Sequence, residues 1–478
     1  MNQILHIAAD EWRYWFRSQL ALGAAGIFLV FVLVTSLITA VRMEAETHTR
    51  THQQTEAEQT FLSQPDRHPH RMVHYGHYLF RAPAPLAMFD PGLDTVTGQS
   101  IFLEGHRQNT VMFAESAASA NFGGLAWLSP ALVYQIFAPI IIILLGHSDI
   151  ARERESGQLV SLLAISISGH KIMAGKALAL LSLSLLLLIP LIIGTSIALA
   201  NGEDFFALLI LFAAYFSYLA LWVFITLIAS IVLTQRSATL ATLTAAWFGF
   251  ALVLPSVAVN VATGSTPVAG KIETDLAMLY DLRKLGDGHN ENDPAFQTLR
   301  SDLLEQYNVK RIEDLPINFR GIVAFDGEEQ LTKVLNEYAE ERMQIEAQQD
   351  TTISRYSILT PVLAIAFASR SIAGTDLAHY HRFQREAEAV RYDFVQGLNQ
   401  AHVEKLSYQA DINRNKDEES SRRARVDASN WQVLDDYQFE TADVSQRMAT
   451  ASYSLQWLLT WLATSLISLL WLSGRIKP

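Results

Sequence analysis

The chain has no cysteine in its 478 residues. That excludes disulfide staples, thiolate metal sites, iron–sulfur clusters and cysteine nucleophiles together. Charge is scarce too: Asp, Glu, Lys and Arg make up 18% of the residues, against about a quarter in an ordinary soluble domain. What charge there is leans acidic, with 36 Lys and Arg facing 48 Asp and Glu for a net of −12. Phosphate backbones are bound through basic clusters, so nucleic acid is excluded as a partner. Half of the residues are hydrophobic and mean hydropathy is +0.17, so lipid solvates a large part of the chain.

Catalytic motifs are missing as well. Residues 169–177 read Gly-His-Lys-Ile-Met-Ala-Gly-Lys-Ala, one residue too long for a phosphate loop and ending in alanine where a hydroxyl is required. No His-Glu-x-x-His zinc motif and no Gly-x-Ser-x-Gly nucleophile elbow occurs. The chain is therefore not expected to be an enzyme, and any ATP hydrolysis that drives it belongs to another chain.

A membrane span needs about 20 mostly apolar residues, and six segments meet that requirement. The expected fold class is an all-α polytopic membrane protein with six transmembrane helices, an N-terminal interfacial helix and two extracytoplasmic domains, the larger mainly helical. Expected boundaries are an interfacial amphipathic helix over 1–17, spans at 18–42, 130–148, 171–200, 205–233, 237–262 and 455–473, a first external domain over 43–129, a connection at 149–170, a second external domain over 263–454 and a tail at 474–478. In the first helix Ile4, Leu5, Ala8, Trp12, Trp15 and Phe16 share one face, the pattern of a helix lying on a membrane; a plain extension of the first span is the alternative. That span lacks a small-residue cleavage site and is expected to be retained.

Basic residues near span ends set orientation. Arg13, Arg17, Arg152, Arg154, Lys171, Lys176, Arg236, Arg475 and Lys477 fall on one side, while the connection Asn201-Gly202-Glu203-Asp204 has none. Both termini are expected in the cytoplasm and both large segments outside. Residues 264–454 carry 21 Lys and Arg against 32 Asp and Glu, a net of −11, so nearly all the acidity is external. Helices are expected there over 272–285, 294–307, 328–356, 376–406 and 431–448. The apolar stretch 357–369 is too short to span and reads either as a buried helix or as a patch on the outer leaflet. Pro190 and Pro255 remove backbone donors inside spans and permit kinks.

Histidine is concentrated in the first external segment, where His48, His52, His68, His70, His74, His77 and His106 make seven of the fourteen. Imidazoles are ligands for zinc or copper, and His74, His77 and His106 are weak metal candidates. The alternative is that these histidines make polar contacts in a proline-rich loop.

The connection reads Asp149-Ile150-Ala151-Arg152-Glu153-Arg154-Glu155-Ser156-Gly157-Gln158-Leu159. It resembles the Glu-Arg-Glu-x-Gly-x-Leu segment after the second span in permeases of the ABC-2 family. The external segments resemble a narrower group carrying the domain of unknown function DUF3526. The residues that carry this are His74-Tyr75-Gly76-His77-Tyr78, Asp90-Pro91-Gly92 and Leu103-Glu104-Gly105-His106 in the first segment, and Ala373-Gly374-Thr375-Asp376 in the second.

The resemblance implies that Arg152, Glu153, Arg154, Glu155 and Gly157, with Arg236 beside them, form the element that receives work from an ABC ATPase subunit. The ATP and Mg would sit on that partner, with no catalytic residue and no cofactor in this chain. It further implies a dimer with a second permease copy or a paralogue in a bacterial inner membrane, exporting a substrate that no residue here identifies. A periplasmic partner is open. Two other readings remain: a mechanotransmission subunit that works on a periplasmic partner with nothing crossing the spans, and a histidine-based metal-handling receptor.

Overall fold

The computed structural model describes residues 2–111, 128–432 and 439–476; Lys477 lies outside them. Helix α1 (Asn2–Ser18) ends where Gln19 adopts φ +56°, so it is a separate helix and not an extension of the first span. Part of its apolar face lies on another helix: Trp15 is buried, and Trp12 Nε1 donates to Ser182 Oγ at 3.0 Å.

Helix α2 (Leu20–Leu62) carries the first span and runs on beyond residue 42. Its 43 residues extend roughly 65 Å, about twice a hydrocarbon core. Nothing between Met43 and Leu62 is Gly or Pro, so the helix continues past the apolar run as a polar rod. Beyond it lie α3 (Pro69–Tyr75), strand β1 (His77–Phe80), α4 (Asp94–Thr97) and strand β2 (Ser100–Leu103). The strands pair antiparallel with His77 opposite Leu103 and Phe80 opposite Ser100.

Helix α5 (Pro130–Gly146) opens on Ser129, whose Oγ accepts from Leu132 N. After α6 (Asp149–Glu155) and α7 (Gln158–Ala164), the third span divides into α8 (Gly169–Leu187) and α9 (Ile189–Ala200). The break falls at Leu188, just before Pro190. Helix α10 (Phe205–Val232) follows. The fifth span is α11 (Arg236–Phe248), a π-turn over Gly249–Val253 and α12 (Leu254–Ser265). Pro255 cannot donate to the carbonyl four residues back, and the wide turn sits where that bond is missing.

The second long segment holds α13 (Lys271–Leu282), α14 (Gln297–Gln306), α15 (Phe319–Arg355), α16 (Pro361–Ala373), α17 (Leu377–Lys405), α18 (Tyr408–Asn413) and α19 (Glu418–Arg423) before α20 (Val444–Ser473). Among the described residues six helices are long and apolar enough to cross a membrane. The helix expected over 431–448 is corrected. Trp431 follows a 3₁₀ turn, 433–438 lie outside the described residues, and Phe439 bridges Arg81. The last helix instead starts after Asp443, whose carboxylate accepts from Gln446 N at 2.8 Å.

Three cores form among the described residues. In the first, α10 is central, with Tyr215, Tyr218 and Trp222 without exposed surface, and α16 enters beside it through Ala364, Ile365 and Ile372. Of the two readings of 357–369, burial is the one that holds. The second core joins both inter-span segments, with Phe61, Met72, Val73 and Leu103 from the first packed on Phe383, Phe394 and Leu398 from the second. The third gathers Phe296, Phe319, Val323 and Tyr408. In the first, fifth and sixth spans the apolar windows are only 22%, 17% and 17% buried, against 67% and 56% in the second and fourth. Those faces are open in the single chain.

Candidate functional site: a charged elbow and a cavity beside the hairpin

Helices α6 and α7 meet at Gly157, which takes φ +74° with open space around it. A left-handed residue there turns the chain without a Cβ penalty and makes an elbow. Its root is tied down by charge. Arg152 Nη2 donates to both oxygens of Glu11 at 2.9 Å, and its guanidinium lies 3.8 Å from the Tyr14 ring centre. Lys176 Nζ, fully buried, donates to Glu11 Oε1 at 2.6 Å and to Glu153 Oε1 at 2.7 Å. Arg154 donates to the carbonyls of Ile231 and Leu233 at the end of α10. Arg236 pairs with Glu155 through both its Nε and its backbone N–H.

The residues expected to form this element therefore divide into two sets. Arg152, Glu153 and Arg154 face inward and bind the elbow to α1, α8 and α10. Glu155, Ser156, Gly157 and Gln158 are exposed, and so are Val160 and Ile165, at 52% and 68%. Residue spacing could not reveal Glu11 and Lys176, because their partners are far away in the chain.

In the first inter-span segment, Asp90 and Gly92, on either side of Pro91, pack on Thr375. Gly92 takes φ +46°, and a Cβ there would lie 2.4 Å from Thr375 Oγ1. Thr375 Oγ1 donates to Asp90 O at 2.9 Å, and Leu93 N donates to Thr375 O at 2.9 Å. Asp90 Oδ2 accepts from Ser369, whose Oγ accepts from Tyr215 OH at 3.0 Å; Tyr215 in turn accepts from Gln135 Nε2 at 2.9 Å. A buried polar chain thus runs from the first segment into the span bundle, and burial pushes the Asp90 carboxyl up. Gly374 ends α16 with φ +73°, and Asp376 caps α17 by accepting from His379 N at 3.1 Å.

Gly76 sits at the start of the hairpin against Phe102. Tyr75 OH accepts from Gln64 at 2.8 Å, and Glu104 accepts from Asn109. Of the three expected metal candidates, His74 and His106 come together, with ring centres 5.0 Å apart. His77 does not join them. It is buried 4.7 Å from the Phe61 ring, where burial pushes it down to about 4. Their actual neighbours are His70 and His289. Burial, with His289 and His74 beside it, pushes His70 down to about 2. In a second trio, His68, His402 and Asp411, the carboxylate is already bonded by both rings. Asp411 accepts from both rings at 3.1 and 2.8 Å and from Asn318, with Arg320 and Arg414 alongside. Burial pushes this carboxyl up, but the bonds from His402 and His68 outweigh it and hold it well below the usual range.

Between the outer half of α2 and the β-hairpin lies a cavity of about 1030 Å³. Arg42, Arg50, Glu46 and Glu56 supply both signs of charge along one wall, and Tyr75, Phe80 and Phe102 supply aromatic surface opposite. Such mixed lining suits an amphipathic molecule.

Six apolar helices, one of them central and buried, joined to a largely helical body outside them, define a polytopic all-α membrane protein. Residues 5–308 match the family model for the ABC-2 family transporter protein, so the chain belongs to that family and is a membrane permease subunit of an ABC transporter. Residues 271–440 match the Domain of unknown function (DUF3526), which begins at α13. No curated protein matches the chain.

Proposed function

We propose that this permease subunit takes up work through the α6–α7 elbow from a separate ABC ATPase subunit carrying ATP and Mg, and uses it to export an amphipathic substrate. In this reading both termini and the elbow face the cytoplasm of a bacterium, the two long segments lie in the periplasm, and the open faces of the first, fifth and sixth spans meet lipid and a second permease copy. The carrying observation is the elbow itself: an exposed tip on a root fixed by Glu11, Arg152, Glu153 and Lys176. A lever needs that combination, because a flexible root would absorb the stroke. The cavity beside α2 would receive cargo, and a ligand is moved only where its affinity differs between states.

The reading is tested by reconstituting the chain with its ATPase in liposomes and measuring ATP hydrolysis. Hydrolysis should be stimulated by the intact permease, and Glu155→Arg, which opposes Arg236, should lower the stimulation several-fold while the two proteins still copurify. Equal hydrolysis with and without the permease would reject the coupling.

One observation favours mechanotransmission instead. Helix α2 runs unbroken from the span region to the shared core, and Arg447 at the base of α20 binds Glu203 at 2.6 Å and Ile372 O at 2.7 Å. Motion of the spans would pass directly to the external body. Flux measured in inverted vesicles separates the two: coupled hydrolysis without movement of any amphipathic probe favours transmission.

A further inference from the structure

Helix α3 presents His70 and His74 one turn apart, with their Nε2 atoms 3.1 Å from each other. His106 reaches the same place from the turn after β2, where it takes φ +64°. His289 comes from the loop after α13, 183 residues further along the chain. That loop is pressed against α15 at a glycine pair, where a Cβ on Gly327 would lie 2.9 Å from Gly288 Cα. One nitrogen from each ring lies within 4.8 Å of the others.

Two of the rings are oriented from behind. His106 Nδ1 lies 2.8 Å from Glu328 Oε2, and His289 Nδ1 lies 3.1 Å from Asp287 Oδ1. Glu328 is itself held by Arg391 at 2.6 Å, which Glu388 grips on its other side. A carboxylate on Nδ1 fixes the tautomer that leaves Nε2 with its lone pair, the outer-shell arrangement of metal-binding histidines. His106 Nε2 is buried and has no hydrogen-bond partner. His74 and His289 are exposed, so an ion has a way in.

We propose that His70, His74, His106 and His289 form a four-imidazole site for a borderline divalent transition metal of the zinc and copper class. Four nitrogens around Zn²⁺ at 2.0–2.1 Å would stand about 3.3 Å apart, and the His70–His74 edge is already 3.1 Å. With no cysteine in the chain and, among the described residues, no carboxylate in the cluster, imidazole is the donor set, which suits Zn²⁺ or Cu²⁺ better than Mg²⁺ or Ca²⁺. Three ligands come from the first inter-span segment and one from the second, so the ion would staple the two segments beside the core they share. The Asp411 trio differs in its donor set: its carboxylate already accepts from both of its histidines and from Asn318.

The test uses full-length, tag-free protein in nanodiscs, stripped with EDTA and titrated with Zn²⁺ or Co²⁺ alone. The site predicts one bound ion per chain and the visible absorption of tetrahedral Co²⁺. His74→Asn and His289→Asn, both at exposed positions, should each weaken binding by roughly 100-fold or more, and Asp287→Asn by roughly 10-fold, the range for an outer-shell partner. His52→Asn on the outer part of α2 should change nothing. In the unmutated protein Zn²⁺ should also protect His74 and His289 from diethyl pyrocarbonate, which requires no variant to fold. Absence of a stoichiometric ion, retention of full affinity by the His74 and His289 double variant, or unprotected modification of both rings would each overturn the site.

Discussion

Lys176 has no exposed surface, and its ammonium is shared by Glu11 and Glu153. Removing one member of a buried ionic set strands the others, at a cost of about 3–5 kcal/mol. Lys176→Met should therefore lower the thermal unfolding midpoint sharply and loosen α1 from α8; an unchanged midpoint would mean that these carboxylates are solvated in the membrane-bound protein. His77 gives a pH prediction. Burial beside Phe61 lowers its folded pKa to about 4 from 6.5. The unfolded chain then binds the extra proton between those values, so stability is full above pH 6.5 and falls as the pH drops toward 4. The loss is roughly 3 kcal/mol at 1.36 kcal/mol per unit. His77→Phe should flatten that part of the stability profile, and an identical slope in the variant would contradict the assignment.

Among elements, the elbow depends on Gly157. Gly157→Val puts a β-branched residue at φ +74°, costing about 1–2 kcal/mol locally. It should reduce stimulation of the ATPase with little change in global unfolding, which hydrolysis and melting measured on the same sample will check. This scale also shows how far the sequence could be read. The spans, the break before Pro190 and the irregular turn before Pro255 followed from apolar runs and missing donors. The length of α2 was not among the expectations, although no Gly or Pro interrupts 43–62. The four-residue strands β1 and β2 were not either, because a run as short as His77–Phe80 has no period to distinguish it from loop. Gly76 turns the chain between His74 and His77, so neighbours in sequence part company and His289 takes the expected place of His77. Convergence across 183 residues leaves no trace in local spacing.

Across the whole molecule, a charged root, an exposed tip and a span bundle whose central helix packs against α16 would, in the proposed function, carry work entering at one end to the cavity and cores at the other. The absence of cysteine makes the decisive measurement clean. Single cysteines at Gln158, Ile165 and, as a control, Leu279 on α13 can be treated with a short bifunctional maleimide in native membranes containing the ATPase. The account predicts a crosslink from Gln158 and Ile165 to the ATPase that changes in yield when ATP is added, and none from Leu279. A crosslink from Leu279 alone, or no product from the elbow in any nucleotide state, would contradict it.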